Sequence, residues 1–169
     1  MGPDSHQHIL RPVRLSTIVV SFIGALLLNF LPWGDLRLVP DFVALVIAFW
    51  CIRQPRLVGL GVAWTLGLLS DAGNGVLLGQ HALAYSILAF LSIWVSRRVL
   101  WFRAPQQVLH VALLLLACEA VAVVVRLGAG HAFPGWAIVV GPLAGAVLWP
   151  MLSWILLMPQ RRLEREQMI

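Results

Sequence analysis

The sequence predicts an all-α polytopic membrane protein, with about six transmembrane helices in one compact bundle. Three observations carry this expectation. Hydrophobic residues make up 60% of the 169-residue chain and charged residues only 11%, where a globular domain carries about 25%. A chain of this size has too much surface to cover with so few polar groups in water. The apolar residues fall into six runs separated by short polar breaks, and the basic residues, all arginine, sit at the ends of those runs. Backbone groups in lipid must be satisfied within the segment, so the runs are expected to be helices.

The first run covers residues 15–31. Arg11 and Arg14 precede it as in a secretory signal. However, Asn29-Phe30-Leu31-Pro32-Trp33 has no small-residue cleavage site and more apolar runs follow, so it is read as a first span. The second and third runs, about 38–52 and 57–70, are short against the roughly 17 residues a span needs. Only Arg53-Gln54-Pro55-Arg56 separates them, which predicts a tight antiparallel hairpin. The fourth, fifth and sixth runs, about 76–95, 108–127 and 136–158, are long enough, as is the first. Gly141-Pro142 and Trp149-Pro150 in the sixth predict a kink, because proline removes a backbone donor and crowds the preceding turn.

Charge placement tests the count. With six spans, Arg11, Arg14, Arg53, Arg56, Arg97, Arg98, Arg103, Arg161, Arg162 and Arg165 fall on one side. Only Arg37 and Arg126 fall on the other. Five spans would scatter these charges over both faces. The positive-inside rule makes the arginine-rich side cytoplasmic. The expectation is a single transmembrane domain over 1–169, with short cytoplasmic ends at 1–14 and 159–169, in an inner membrane. The net charge of +5 does not indicate nucleic-acid binding, since the arginines form no single basic segment. Trp33 and Trp136 are expected at the outer interface, Trp50, Trp94 and Trp101 at the inner one, and Trp64, Trp149 and Trp154 in packing positions inside or facing lipid. Cys51 and Cys118 are read as free, small apolar residues.

Chemistry-bearing residues are few. Gly59, Ala63 and Gly67, like Gly141 with Gly145 and Gly75 with Gly79, recur at four-residue spacing, which lets helices approach closely within the chain or with a partner. The run Gly73-Asn74-Gly75-Val76-Leu77-Leu78-Gly79 has neither dinucleotide spacing nor a phosphate-loop lysine and is read as a turn. Asp41 and Asp71 lie about 18 and 22 Å from the cytoplasmic edge at 1.5 Å per residue, toward the outer side of a core about 30 Å thick. Each is either a helix cap at the interface or the lining of a polar cavity. Glu119, midway along the fifth run, should face the bundle interior, with Arg126, Gln80 or His81 as possible partners, or remain protonated. His81 by itself reads first as a packing residue. No nucleophile–base pair, carboxylate dyad or metal-ligand spacing is legible. Neither an enzyme nor a cofactor is expected.

The stretch Pro40-Asp41-Phe42-Val43-Ala44-Leu45, followed by Trp50 and Arg53-Gln54-Pro55, resembles the second helix of the bacterial rod shape-determining MreD family. Gly67-Leu68-Leu69-Ser70-Asp71-Ala72-Gly73-Asn74-Gly75-Val76-Leu77-Leu78-Gly79-Gln80-His81-Ala82-Leu83 resembles its central motif. The likeness is specific over 40–83. It marks Asp41, Asp71, Gly75 and Gly79, but gives Glu119 no support. It implies a non-enzymatic membrane scaffold or regulator of lateral cell-wall elongation, maintaining rod shape. The implied partners are an MreC-like membrane protein, the actin-like MreB system, and the elongation transpeptidase and glycosyltransferase. The family also resembles, in fold, the substrate-binding subunits of vitamin transporters. That implies an alternative: a transport subunit with a small-molecule cavity on the outer side.

Overall fold

A computed structural model describes residues 14–33, 39–99, 101–102 and 104–165, apart from the side chains of 104 and 159–165. Arg11, Arg37 and Arg103 lie outside the described residues, as do the side chains of Arg161, Arg162 and Arg165. Six α-helices, and no strand, occur among the described residues: α1 Leu15–Phe30, α2 Phe42–Arg53, α3 Leu60–Asn74, α4 Gln80–Val99, α5 Ala104–Gly128 and α6 Val140–Arg165. A 3₁₀ turn, Trp136–Val139, leads into α6.

Each end has a local cause. The residue before a proline is pushed out of the helical region, so α1 stops at Phe30 and Leu31, before Pro32, is extended with ψ 136°. The Trp33 indole N–H donates to the freed Leu28 carbonyl at 2.7 Å. Asp41 caps α2 by accepting the Ala44 N–H at 3.0 Å, which fits the capping reading of this residue. The break before Pro55 ends α2. Gly75 closes α3 in the left-handed region at φ +62°, where glycine bears no side-chain penalty. Pro142 falls in the first turn of α6, where a missing N–H leaves no helical bond broken. Pro150 is mid-helix and deprives the Ala146 carbonyl of its N–H partner, yet α6 continues through it.

Helix lengths divide the bundle. Three stretches are long and apolar enough to cross a membrane: Gln80–Val99 in α4, Pro105–Gly128 in α5, and Trp136–Met158, which joins the 3₁₀ turn to α6. α1 reaches 16 residues and α2 only 12, so α2 is about 18 Å long. The first run, expected to be long enough, falls short by the residue that Pro32 removes. Large apolar side chains cover the outside, including Val20, Leu27, Trp94, Val124, Val147 and Met151. A surface so rich in exposed hydrophobic groups belongs in lipid.

The interior differs from the expected hairpin. α2 runs through the centre, with Val43 to Ile52 all buried, and packs on α1, α4, α5 and α6. α3 does not return along it. After the six-residue turn at 54–59, α3 packs along α4 instead. Gly67 is the reason: its missing side chain lets the α4 backbone at His81 and Ala82 come directly against α3. Gly145 gives α6 a similar close seat, against Leu45, Leu115 and Pro40. Trp50 also departs from its expected place at the inner interface. It is fully buried, its indole N–H donates to Ser21 Oγ at 2.9 Å, and its ring meets Phe49 edge-on at 5.0 Å. A helix enclosed on every side has no lipid face on which to place a belt residue. Trp94 and Trp101, 72% and 90% exposed, lie on the outside of the bundle. Cys51 and Cys118 are free and buried.

Candidate functional site

Asn29, Asp41, Asp71, His81 and Tyr85 converge at the end of the bundle where α1 stops, α2 begins and α3 turns into α4. Asn29, at the end of α1, lies against the start of α2. Its carboxamide nitrogen donates to Asp41 Oδ1 at 2.8 Å, and its oxygen accepts the Phe42 N–H at 2.9 Å. The other Asp41 oxygen accepts the Tyr85 hydroxyl at 2.6 Å. Asp41 thus ties three helices together: it caps α2, holds the end of α1 and anchors α4.

Asp71 performs the corresponding task across the α3–α4 turn. It is fully buried. Its carboxylate accepts the backbone N–H of Gly79 at 2.8 Å, of His81 at 2.9 Å and of Ala82 at 3.4 Å. The first-turn N–H groups of a helix have no partner within it, so Asp71 caps α4 from the preceding helix. His81 Nδ1 completes the shell at 2.7 Å from Oδ1. The turn that makes this possible needs Gly75 and Gly79, at φ +62° and +102°. The Gly75 and Val76 N–H groups donate to the Asp71 backbone carbonyl. The motif glycines are therefore the frame on which the Asp71 carboxylate is aimed.

His81 and Tyr85 lie one helical turn apart on α4 and meet edge-on, centroids 5.6 Å apart. They join the two aspartates into one continuous cluster, Asp41–Tyr85–His81–Asp71. This places the paired aspartates of the second and third runs together, although α2 and α3 do not pack as a hairpin. Sequence reasoning missed Asn29 and Tyr85. Tyr85 is the only tyrosine in the chain and stands four residues after His81, which was the available signal. His81, read first as a packing residue, is bound to Asp71.

The cluster borders a cavity of about 830 Å³, also lined by Trp33, Asn74, Cys118, Glu119, Arg126 and Pro142. Glu119 is half-buried and faces this space, as its position on α5 predicts. It forms no ion pair with Arg126. Seven residues separate them, about 10.5 Å along the helix, whereas helical side chains meet at three or four residues. Gln80 and His81 do not bond it either, and among the described residues no hydrogen bond reaches its carboxylate. No group of three or more metal-ligating side chains occurs among the described residues.

The model of the family described as rod shape-determining protein MreD matches residues 11–159. The rod shape-determining protein MreD of Haemophilus influenzae is 31% identical over 156 residues, covering 89% of this chain and 91% of that protein. No solved structure matches the chain, and the implied likeness to vitamin transporter subunits finds no support. The match runs from the residues before α1 to the charged end of α6, well beyond the 40–83 stretch that carries the resemblance, and on it the chain belongs to the rod shape-determining MreD family.

Proposed function

We propose that this protein is a non-enzymatic scaffold or regulator of the cell-wall elongation complex, working in the inner membrane to maintain rod shape. Membership of the MreD family over nearly the whole chain is the observation that carries this reading. The site is consistent with it. Asp41 and Asp71, the most prominent polar residues, are occupied in holding helices, and a carboxylate so engaged is not poised for proton transfer. The same reading takes the chain as one transmembrane domain with six crossings and both ends, 1–14 and 159–169, cytoplasmic. Arginine placement supports this orientation. The shortness of α1, α2 and α3 is compatible with crossing because α2 is enclosed by protein and the bilayer thins around short helices at modest cost.

The partners of this reading are an MreC-like membrane protein, the MreB system and the elongation transpeptidase and glycosyltransferase. The experiment is photo-cross-linking in cells from exposed positions. Trp94 on α4, Trp64 on α3 and Val147 on α6 are each more than half exposed, so a cross-linking residue at each leaves the core intact. A scaffold yields a defined adduct with the MreC-like protein from at least one of these faces. Adducts with lipid alone from all three would remove the scaffold reading.

A further inference from the structure

The cavity is lined by two charged groups that form no hydrogen bond or ion pair among the described residues. Every other acid of the site is engaged: Asp41 accepts three hydrogen bonds and Asp71 four. Glu119 accepts none among the described residues, and the Arg126 guanidinium donates none. Both line the same space. They stand on one face of α5, two turns apart, with Arg126 near the outer end of the helix and Glu119 about 10.5 Å deeper. A carboxylate at membrane depth with no donor is costly, and Asp41 on the same cavity wall adds like charge beside it. A cation bound there would relieve both terms. Arg126 is not that cation, because no ion pair joins it to Glu119 among the described residues.

We propose that this cavity binds a zwitterion, with its ammonium group against Glu119 and its anionic group toward the Arg126 guanidinium. Arg126 suits a phosphate or carboxylate, which its planar fork can bind through two parallel hydrogen bonds. The remaining walls suit a small organic body, with Trp33, Leu115, Ile138 and Pro142 as apolar surface. An 830 Å³ space lies in the range of small-molecule sites, about 300–1,000 Å³. The ligand chemistry is an ammonium and an anion a few bonds apart. It can come from a lipid headgroup or from a free small molecule. The site stands independently of the shape-determining role, and its test reads binding rather than morphology.

The test uses the full chain purified in phospholipid-free micelles. Three probes separate the sources: phosphatidylethanolamine, which has both charges; phosphatidylglycerol, which lacks the amine; and soluble O-phosphoethanolamine. Lipid binding is read by native mass spectrometry and soluble-probe binding by calorimetry. At least one of the two zwitterionic probes should bind better than phosphatidylglycerol. Glu119→Gln should weaken it about tenfold, a change worth about 1.4 kcal/mol, and Arg126→Gln should weaken it as well. Glu119→Gln keeps the side-chain shape, and gel filtration with a melting curve separates loss of binding from loss of fold. Binding of the lipid alone identifies a headgroup site; binding of O-phosphoethanolamine identifies a site for soluble zwitterions. Equal retention of phosphatidylethanolamine and phosphatidylglycerol with no O-phosphoethanolamine binding, or unchanged binding in Glu119→Gln, would overturn the proposal.

Discussion

Asp71→Ala should destabilise the folded bundle by about 3–5 kcal/mol, the range for breaking a buried charged network from one side. The carboxylate is fully buried and accepts backbone N–H groups from Gly79, His81 and Ala82 besides the His81 ring. Alanine leaves all four without an acceptor in a place water does not replace them, at roughly 1–3 kcal/mol for each fully orphaned group. The losses will not add in full, because the turn at 75–79 can relax. Asp71→Asn is the sharper variant. It retains one acceptor oxygen and the shape, but its amide nitrogen faces donors, so an intermediate loss of about 2 kcal/mol is expected. Denaturant unfolding of the purified protein in micelles measures both. Values for the two variants within 1 kcal/mol of the unsubstituted protein would show that Asp71 is not the cap of α4. A shape defect in cells with normal stability would instead assign the residue a role in partner contact.

Gly67→Ala is expected to destabilise by about 2 kcal/mol or more, within or above the usual range for overpacking. This sign is informative because alanine in a helix interior is favoured over glycine by about 1 kcal/mol. A Cβ at 67 would overlap the backbone of Ala82 and His81, and backbone cannot swing aside as a side-chain tip does. α3 and α4 must part, which also pulls Asp71 away from the N–H groups it caps. Gly24, in α1, is the control: nothing lies within 4 Å of its added Cβ, so Gly24→Ala should be neutral or stabilising by up to about 1 kcal/mol. Thermal unfolding of both variants checks the pair. Equal behaviour would contradict the close α3–α4 contact.

These two predictions also mark what was legible before the fold was known. The helical runs, the Asp41 cap and the turn at Gly75 and Gly79 follow from local rules, because each depends on residues close in sequence. The packing partner of α3 does not. Loop length ties α3 to the end of α2 but says nothing about which face it meets, and α2 is apolar all round, so periodicity offers no direction. The decisive signal was Gly67, legible as a small residue in a helical run but silent about its opposite number, Ala82. Trp50 was misplaced for the same reason: a tryptophan near a helix end is a belt residue only if that helix has a lipid face. Asn29 and Tyr85 enter the site through contacts 12 and 44 residues away in the chain, beyond the reach of spacing arguments. Glu119 and Arg126 are a further case. Their place on one face of the fifth run left a direct pair open, and the structure shows none among the described residues.

The central claim is that this chain determines rod shape in the membrane. Its most direct test is depletion of the protein in its own rod-shaped host, followed by microscopy over several generations, with a plasmid copy of the unsubstituted chain as the rescue. Depleted cells should lose their cylindrical form and become round, and the plasmid copy should restore rods. Cells that remain rods of normal width after the protein is gone would contradict it.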